Sequence, residues 1–205
     1  VILVSFRYYL YVSDAKVDML VGQIEPRLTR RRAAEVGVDL KAFSAKWTAE
    51  PSAGADRAER LERVVRYLEE HGDLGSVDEP GQFFWGLLPM RWGMFSRSLV
   101  YFGGSSERTV VGLGGSGHHV LGSPVPGTPR PGLVSSFTPR LLAELVGNEI
   151  QVADEAQALA LVRQTTEDLM GPPQNVEFVA KRLLHGEVGG TPVLLGSPLY
   201  VAMVD

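Results

Sequence analysis

Between Ser76 and Gly122 the chain breaks into short aromatic and β-branched runs punctuated by glycine, and this pattern constrains its fold more than any other feature. The runs cover residues 82–88, 90–95, 99–103, 108–112 and 118–121. Each is too short for a stable helix and is bounded by turn formers, so the segment reads as antiparallel strands and turns.

Helical periodicity appears on either side. After a strand over residues 8–12, Ser13-Asp14 stops the run and Val17, Leu20, Val21 and Ile24 recur at helical spacing, with Ser13 placed as the cap. Residues 55–71 form the clearest helix. Leu61, Val64, Val65 and Leu68 make its apolar stripe, Glu59–Arg63 and Glu62–Arg66 are i,i+4 pairs, and Gly72 supplies the C-cap. A short helix is expected at 27–36, while 39–47 reads equally as strand or helix. Residues 123–132, with Pro124, Pro126, Pro129 and Pro131, are a loop or lid. Thr138-Pro139 opens a helix that Gly147 closes, and a further helix spans 154–170 before Gly171-Pro172-Pro173. Residues 176–185 fit helix or strand; Gly189-Gly190, read as the turn into 193–204, favours a strand in a terminal hairpin. The expectation is one α+β domain over 1–205, mainly an antiparallel sheet or partial barrel with several packed amphipathic helices.

Composition removes whole classes of function. The chain has 205 residues, enough to bury roughly 70% of its unfolded surface without staples. It contains no cysteine, which excludes disulfides, thiolate nucleophiles and iron–sulfur clusters and suits a reducing, cytoplasmic setting. No apolar run reaches the roughly 20 residues of a spanning helix, so no membrane association is expected. A formal charge of −4 disfavours nucleic acid as a partner, because such modules usually carry a basic field. Arg27, Arg30, Arg31 and Arg32 form a basic patch without interleaved aromatics, and a solvated helix face is the preferred reading.

Taken together, the segments YYLYVSDAKVDML (8–20), LPMRWG (88–93), VYFGG (100–104) and SPLYVA (197–202) resemble those of an uncharacterised actinobacterial protein family, a domain of unknown function. The resemblance implies a bacterial, cytosolic protein and carries over no active site.

Chemistry has few places to sit. Ser13 and Lys16 match a Ser-x-x-Lys spacing, but the companion motifs of acyl enzymes are missing and a capping serine accounts for the pair. In residues 112–119 the sequence is Gly-Leu-Gly-Gly-Ser-Gly-His-His, where glycines let backbone N–H groups approach a ligand and a histidine can act as acid or base. No lysine or helix pattern follows, so neither phosphate-loop nor dinucleotide motif applies, and a glycine-rich turn or bulge is the competing reading. Adjacent strand residues face opposite ways, so only one of His118 and His119 is expected to be functional. No metal-ligand spacing is present, and neither metal nor cofactor is expected. Residues 83–95 concentrate aromatics, Met90, Met94 and Arg91, a composition of core sheets and of pocket walls alike. Asp78-Glu79 reads as loop charge, with an ion partner for Arg91 or a general base as alternatives.

The leading expectation is a small-molecule-binding protein or enzyme. Its pocket would lie between Trp85, Trp92 and Arg91 on one side and Gly114, Gly115, Ser116, His118 and His119 on the other. The competing expectation is a non-enzymatic interaction, regulatory or defence accessory protein, with a homo-oligomer as one form of it.

Overall fold

A computed structural model of the chain describes residues 7–24, 53–72, 74–95, 98–122 and 152–204. The expected elements at 27–36, 39–47, 123–132 and 138–147, and the arginine patch at 27–32, lie outside the described residues. The backbone divides into two compact units: Val1–Ser13 with Asp73–Asp205, and Asp14–Gly72.

Among the described residues the smaller unit holds two helices, α1 over residues 14–24 and α2 over Ala53–Glu70. Ion pairs join them, Arg57 to Asp14 at 2.8 Å and Arg60 to Asp18 at 2.5 Å. The expected Glu59–Arg63 pair forms at 3.0 Å, and Gly72 follows α2 with φ +70°, the left-handed conformation that ends a helix most cheaply in glycine.

Among the described residues the larger unit is built on seven strands: β1 (Tyr8–Val12), β2 (Leu74–Ser76), β3 (Phe83–Met94), β4 (Leu99–Ser105), β5 (Val110–Ser116), β6 (Gln174–Val188) and β7 (Thr191–Met203). Helix α3 (Glu155–Asp168) lies between β5 and β6, and the Asp154 side chain caps it by accepting from the Gln157 N–H at 2.8 Å. Five strands close a ring in the order β3–β4–β5–β7–β6, and β6 returns to β3. All its pairings are antiparallel except β5 with β7. Counting only ring strands in chain order, the sequence around the barrel is first, second, third, fifth, fourth. That is the Greek-key order of OB-type barrels.

Three details depart from the sequence reading. The runs at 82–88 and 90–95 are one twelve-residue strand, because Pro89 falls where β3 changes partner from β6 (through Met90) to β4 (from Met90), so its missing N–H disturbs neither ladder. The glycine-rich segment belongs to β5 rather than to a turn, and residues 118–121 form a short 3-10 turn (Gly117–His119) and a bridge from Val120 to Tyr11 instead of a strand. Among the described residues, packed helices are also fewer than expected. The terminal hairpin is as expected: Gly189 and Gly190, at φ +60° and +79°, form a two-residue turn of the kind that matches strand twist.

The barrel is filled with side chains. Phe84, Met90, Val100, Phe102, Leu113, Val176, Phe178, Leu194 and Val201 are fully buried in one cluster. Side chains of opposite parity on β4 and β7, including Leu99, Tyr101, Val193 and Leu195, form a second cluster with Ala158, Leu159 and Val162 of α3 on the barrel exterior.

Candidate functional site

The position of β5 explains its glycines. A Cβ on Gly115 would stand 2.6 Å from the Tyr11 hydroxyl, and one on Gly112 would fall on the Tyr101 hydroxyl and within 2.9 Å of Val162. Both glycines therefore make room for a tyrosine, Gly112 for Tyr101 of the adjacent β4 and Gly115 for Tyr11 of β1. Tyr101 uses that room to reach α3, where its hydroxyl donates to the Val162 carbonyl at 3.2 Å and meets the Thr166 hydroxyl at 2.9 Å. Burial pushes both phenols well above the usual tyrosine range, Tyr11 despite bonds with the Ser13 side chain and the Ser116 backbone.

At one end of the barrel four rings meet in series. Trp92 stacks on Phe102 with centroids 5.9 Å apart, Phe102 meets Tyr11 edge-on at 6.3 Å, and Tyr11 meets His119 edge-on at 5.7 Å. The Trp92 indole N–H donates to the Gln174 side-chain oxygen at 3.3 Å. Trp92 nevertheless remains 36% exposed, and Met94, two residues along the same strand, is also exposed. Ser116 starts the turn that carries the histidines; its hydroxyl accepts from the His118 N–H. His118 is exposed, whereas His119 is half-buried against Tyr11.

The residues singled out from sequence thus separate. Trp92, Gly115, Ser116 and His119 gather around Tyr11 and Phe102, with Gly114 buried in β5 beside Tyr101's backbone. Trp85 is exposed on the opposite face of β3 from Trp92, since the two stand an odd number of positions apart in an unbroken strand. Arg91 also faces away, its Nε donating to the Gly171 carbonyl at 2.8 Å. Asp78 is not its partner: the Asp78 carboxylate accepts from Ser106 at 2.9 Å and Thr109 at 2.7 Å. Those two bonds hold it below the usual carboxylate range and pin the β4–β5 connection.

Tyr11, Phe102 and Gln174 were not singled out from sequence. Tyr11 lies in an aromatic strand far along the chain from His119, and only the fold reveals the contact. A second polar cluster was equally hidden. On it Tyr200 donates a short hydrogen bond to Glu177, which also pairs with Arg7 at 2.9 Å, while Tyr9 packs edge-on against Tyr200. Burial, then Glu177, pushes the Tyr200 phenol up. Desolvation works against the charge on Arg7, but the bond and attraction to Glu177 outweigh it and raise that pKa.

In OB-type barrels the outer face of the second and third strands is the usual ligand surface. Here those strands are β4 and β5, and α3 lies on them, with Gly103 admitting Leu169 and Thr166 to the backbone. Fold order alone therefore assigns no ligand. Among the described residues no helix is long and apolar enough to cross a membrane, and no cluster of three metal-ligating side chains occurs. Neither a curated protein nor a solved structure matches the chain. A family model does match, over residues 7–205, and the chain belongs to that family, DUF7019, a family of unknown function.

Proposed function

We propose that the chain is a small-molecule-binding protein whose ligand sits at the barrel end where Trp92, Phe102, Tyr11 and His119 meet. The observation that carries this reading is the fixed but partly exposed Trp92: its ring is held by Phe102 and its N–H by Gln174. An indole oriented before a ligand arrives loses little side-chain entropy on binding. His119, half-buried at the other end of the ring series, supplies a polar group to orient a ligand, and Gly114, Gly115 and Ser116 form the wall behind it. Were the site catalytic, His119 rather than the exposed His118 would be the acid or base. Trp85 and Arg91 face away from this end and take no part. A cysteine-free chain fits cytoplasmic residence.

Native mass spectrometry of protein purified from cell lysate, compared with the denatured mass, tests the reading. The expected result is a mass excess that vanishes on denaturation and is lost in Trp92→Ala and His119→Gln while both variants stay folded. An excess retained in both variants would overturn this location. The second reading, a non-enzymatic interaction protein, is favoured by a different observation, the outer edge of β6 beyond Arg182, which no strand pairs among the described residues.

A further inference from the structure

Strand β6 is fifteen residues long, but β3 covers only its first part, from Gln174 to Lys181. The Arg182 N–H still reaches the Gln82 carbonyl at 2.9 Å, and then the neighbour ends. Among the described residues, no strand pairs with 183–188 on that side. A register shift between Arg182 and Leu184 sets this distal part off from the rest.

Hairpin geometry fixes what the edge offers. Val188 and Thr191 close the two-residue turn and bond each other, as do Gly186 and Val193 in the alternating antiparallel ladder. Glu187 and His185 fall between these pairs and turn their N–H and C=O groups away from β7. Their assignment agrees with Pro192 opposite Glu187, since proline has no N–H to give. The side chains divide by parity. Leu184 and Val188 pack partly buried against the α3 cluster and Gly186 lies beneath Leu159, while His185 and Glu187 are exposed on the other face.

We infer that this edge is a self-complementary docking strand for a second copy of the chain, paired antiparallel about a two-fold axis at Gly186. In that register His185 lies opposite the partner's Glu187 and Glu187 opposite the partner's His185, and the outward N–H and C=O groups of all four residues satisfy one another. Each imidazole stands beside a carboxylate, the favourable arrangement for directly opposed residues. On the other face Leu184 meets the partner's Val188, continuing the apolar layer under α3 that stops half-covered at this edge. Glycine meets glycine at the axis, where two side chains would otherwise crowd. A shift of one residue in register would break both the imidazole–carboxylate match and the apolar match. Open edges of this kind are usually blocked by charged side chains or by proline, and here each carboxylate faces an imidazole N–H that can donate to it.

Sedimentation equilibrium of the full chain tests the inference, with circular dichroism as the control for folding. The wild-type chain is expected at twice its 22.3 kDa mass. Glu187→Pro removes an edge N–H without touching a β6–β7 bond, and His185→Glu sets carboxylate against carboxylate; both are expected to halve the mass. His185→Glu combined with Glu187→His restores opposite partners and is expected to restore the dimer. If the proline variant loses its fold, the decision rests on His185→Glu and the double variant. A wild-type monomer at all concentrations, a dimer indifferent to the single variants, or a folded double variant that stays monomeric overturns the inference.

Discussion

Strands β3 and β5 invert the usual association of aromatics with the core and glycine with the surface. β3 carries Phe83, Phe84, Trp85 and Trp92, yet Trp85, Leu87, Trp92 and Met94 are exposed. β5 carries Gly112, Gly114 and Gly115, and six of its seven residues are buried. The difference follows from what each strand has beside it. β5 runs between β4 and β7 and under α3, so its small residues mark where the bulk of Tyr11, Tyr101 and Val162 goes. Along the first part of β3 alternation leaves Trp85 and Leu87 to solvent on its outer face, whereas Trp92 and Met94 have the inward parity of Phe84 and Met90 and are exposed at the barrel end.

The largest effect that could break this comparison is alkaline unfolding. Burial raises the phenol pKa of Tyr11, Tyr101 and Tyr200 above the value of about 10 expected in the unfolded chain. Between the unfolded and folded values the native state holds more protons, so stability is full below pH about 10 and falls as pH rises beyond it. The tyrosinate absorbance contributed by these three phenols, read as the loss of signal between the wild type and Tyr→Phe variants at these positions, should therefore appear together with loss of circular dichroism in one transition. Separate, earlier ionisation of these phenols would mean that the packing around β5 is open.

Next in size is Phe84→Ala. This ring is fully buried, meets Phe178 edge-on at 5.9 Å and occupies the space above Gly196, so its loss should cost about 3–5 kcal/mol in denaturant unfolding. Asp78→Ala should cost about 1 kcal/mol, since it deprives the Thr109 hydroxyl, itself buried, of its acceptor. Trp85→Ala sharpens the comparison from the other side. Although tryptophan is the largest side chain, Trp85 is 49% exposed on the outer face of β3, and its removal should change stability by only about 0.5 kcal/mol.

Local pattern made much of the architecture legible. The stripe and Gly72 marked α2, Asp154 and Gly171 bracketed α3, and Gly189-Gly190 marked the hairpin that decides residues 176–185 as strand. Closure of the barrel was not legible. It depends on the parallel pairing of Val110–Leu113 with Val193–Gly196, a contact between distant segments on which local periodicity is silent. The glycines of β5 were read by what glycine permits, close approach of a ligand, when the approaching groups are tyrosines of this same chain. For the candidate site the sequence supplied Trp92 and His119 but not the rings between them, because Tyr11 and Phe102 are ordinary strand residues until the fold brings them together.

The central structural claim is that β5 is glycine-rich for the sake of its neighbours' rings. A double-mutant cycle tests it most directly: Gly112→Ala measured by chemical denaturation with residue 101 as tyrosine and as phenylalanine. With tyrosine, the new methyl meets the buried hydroxyl and Val162, and overpacking should cost about 1–3 kcal/mol. With the hydroxyl removed by Tyr101→Phe, the added cost of Gly112→Ala should shrink measurably, a coupling expected for residues in contact. Equal costs in the two backgrounds, or a Gly112→Ala chain as stable as the wild type, would contradict the account.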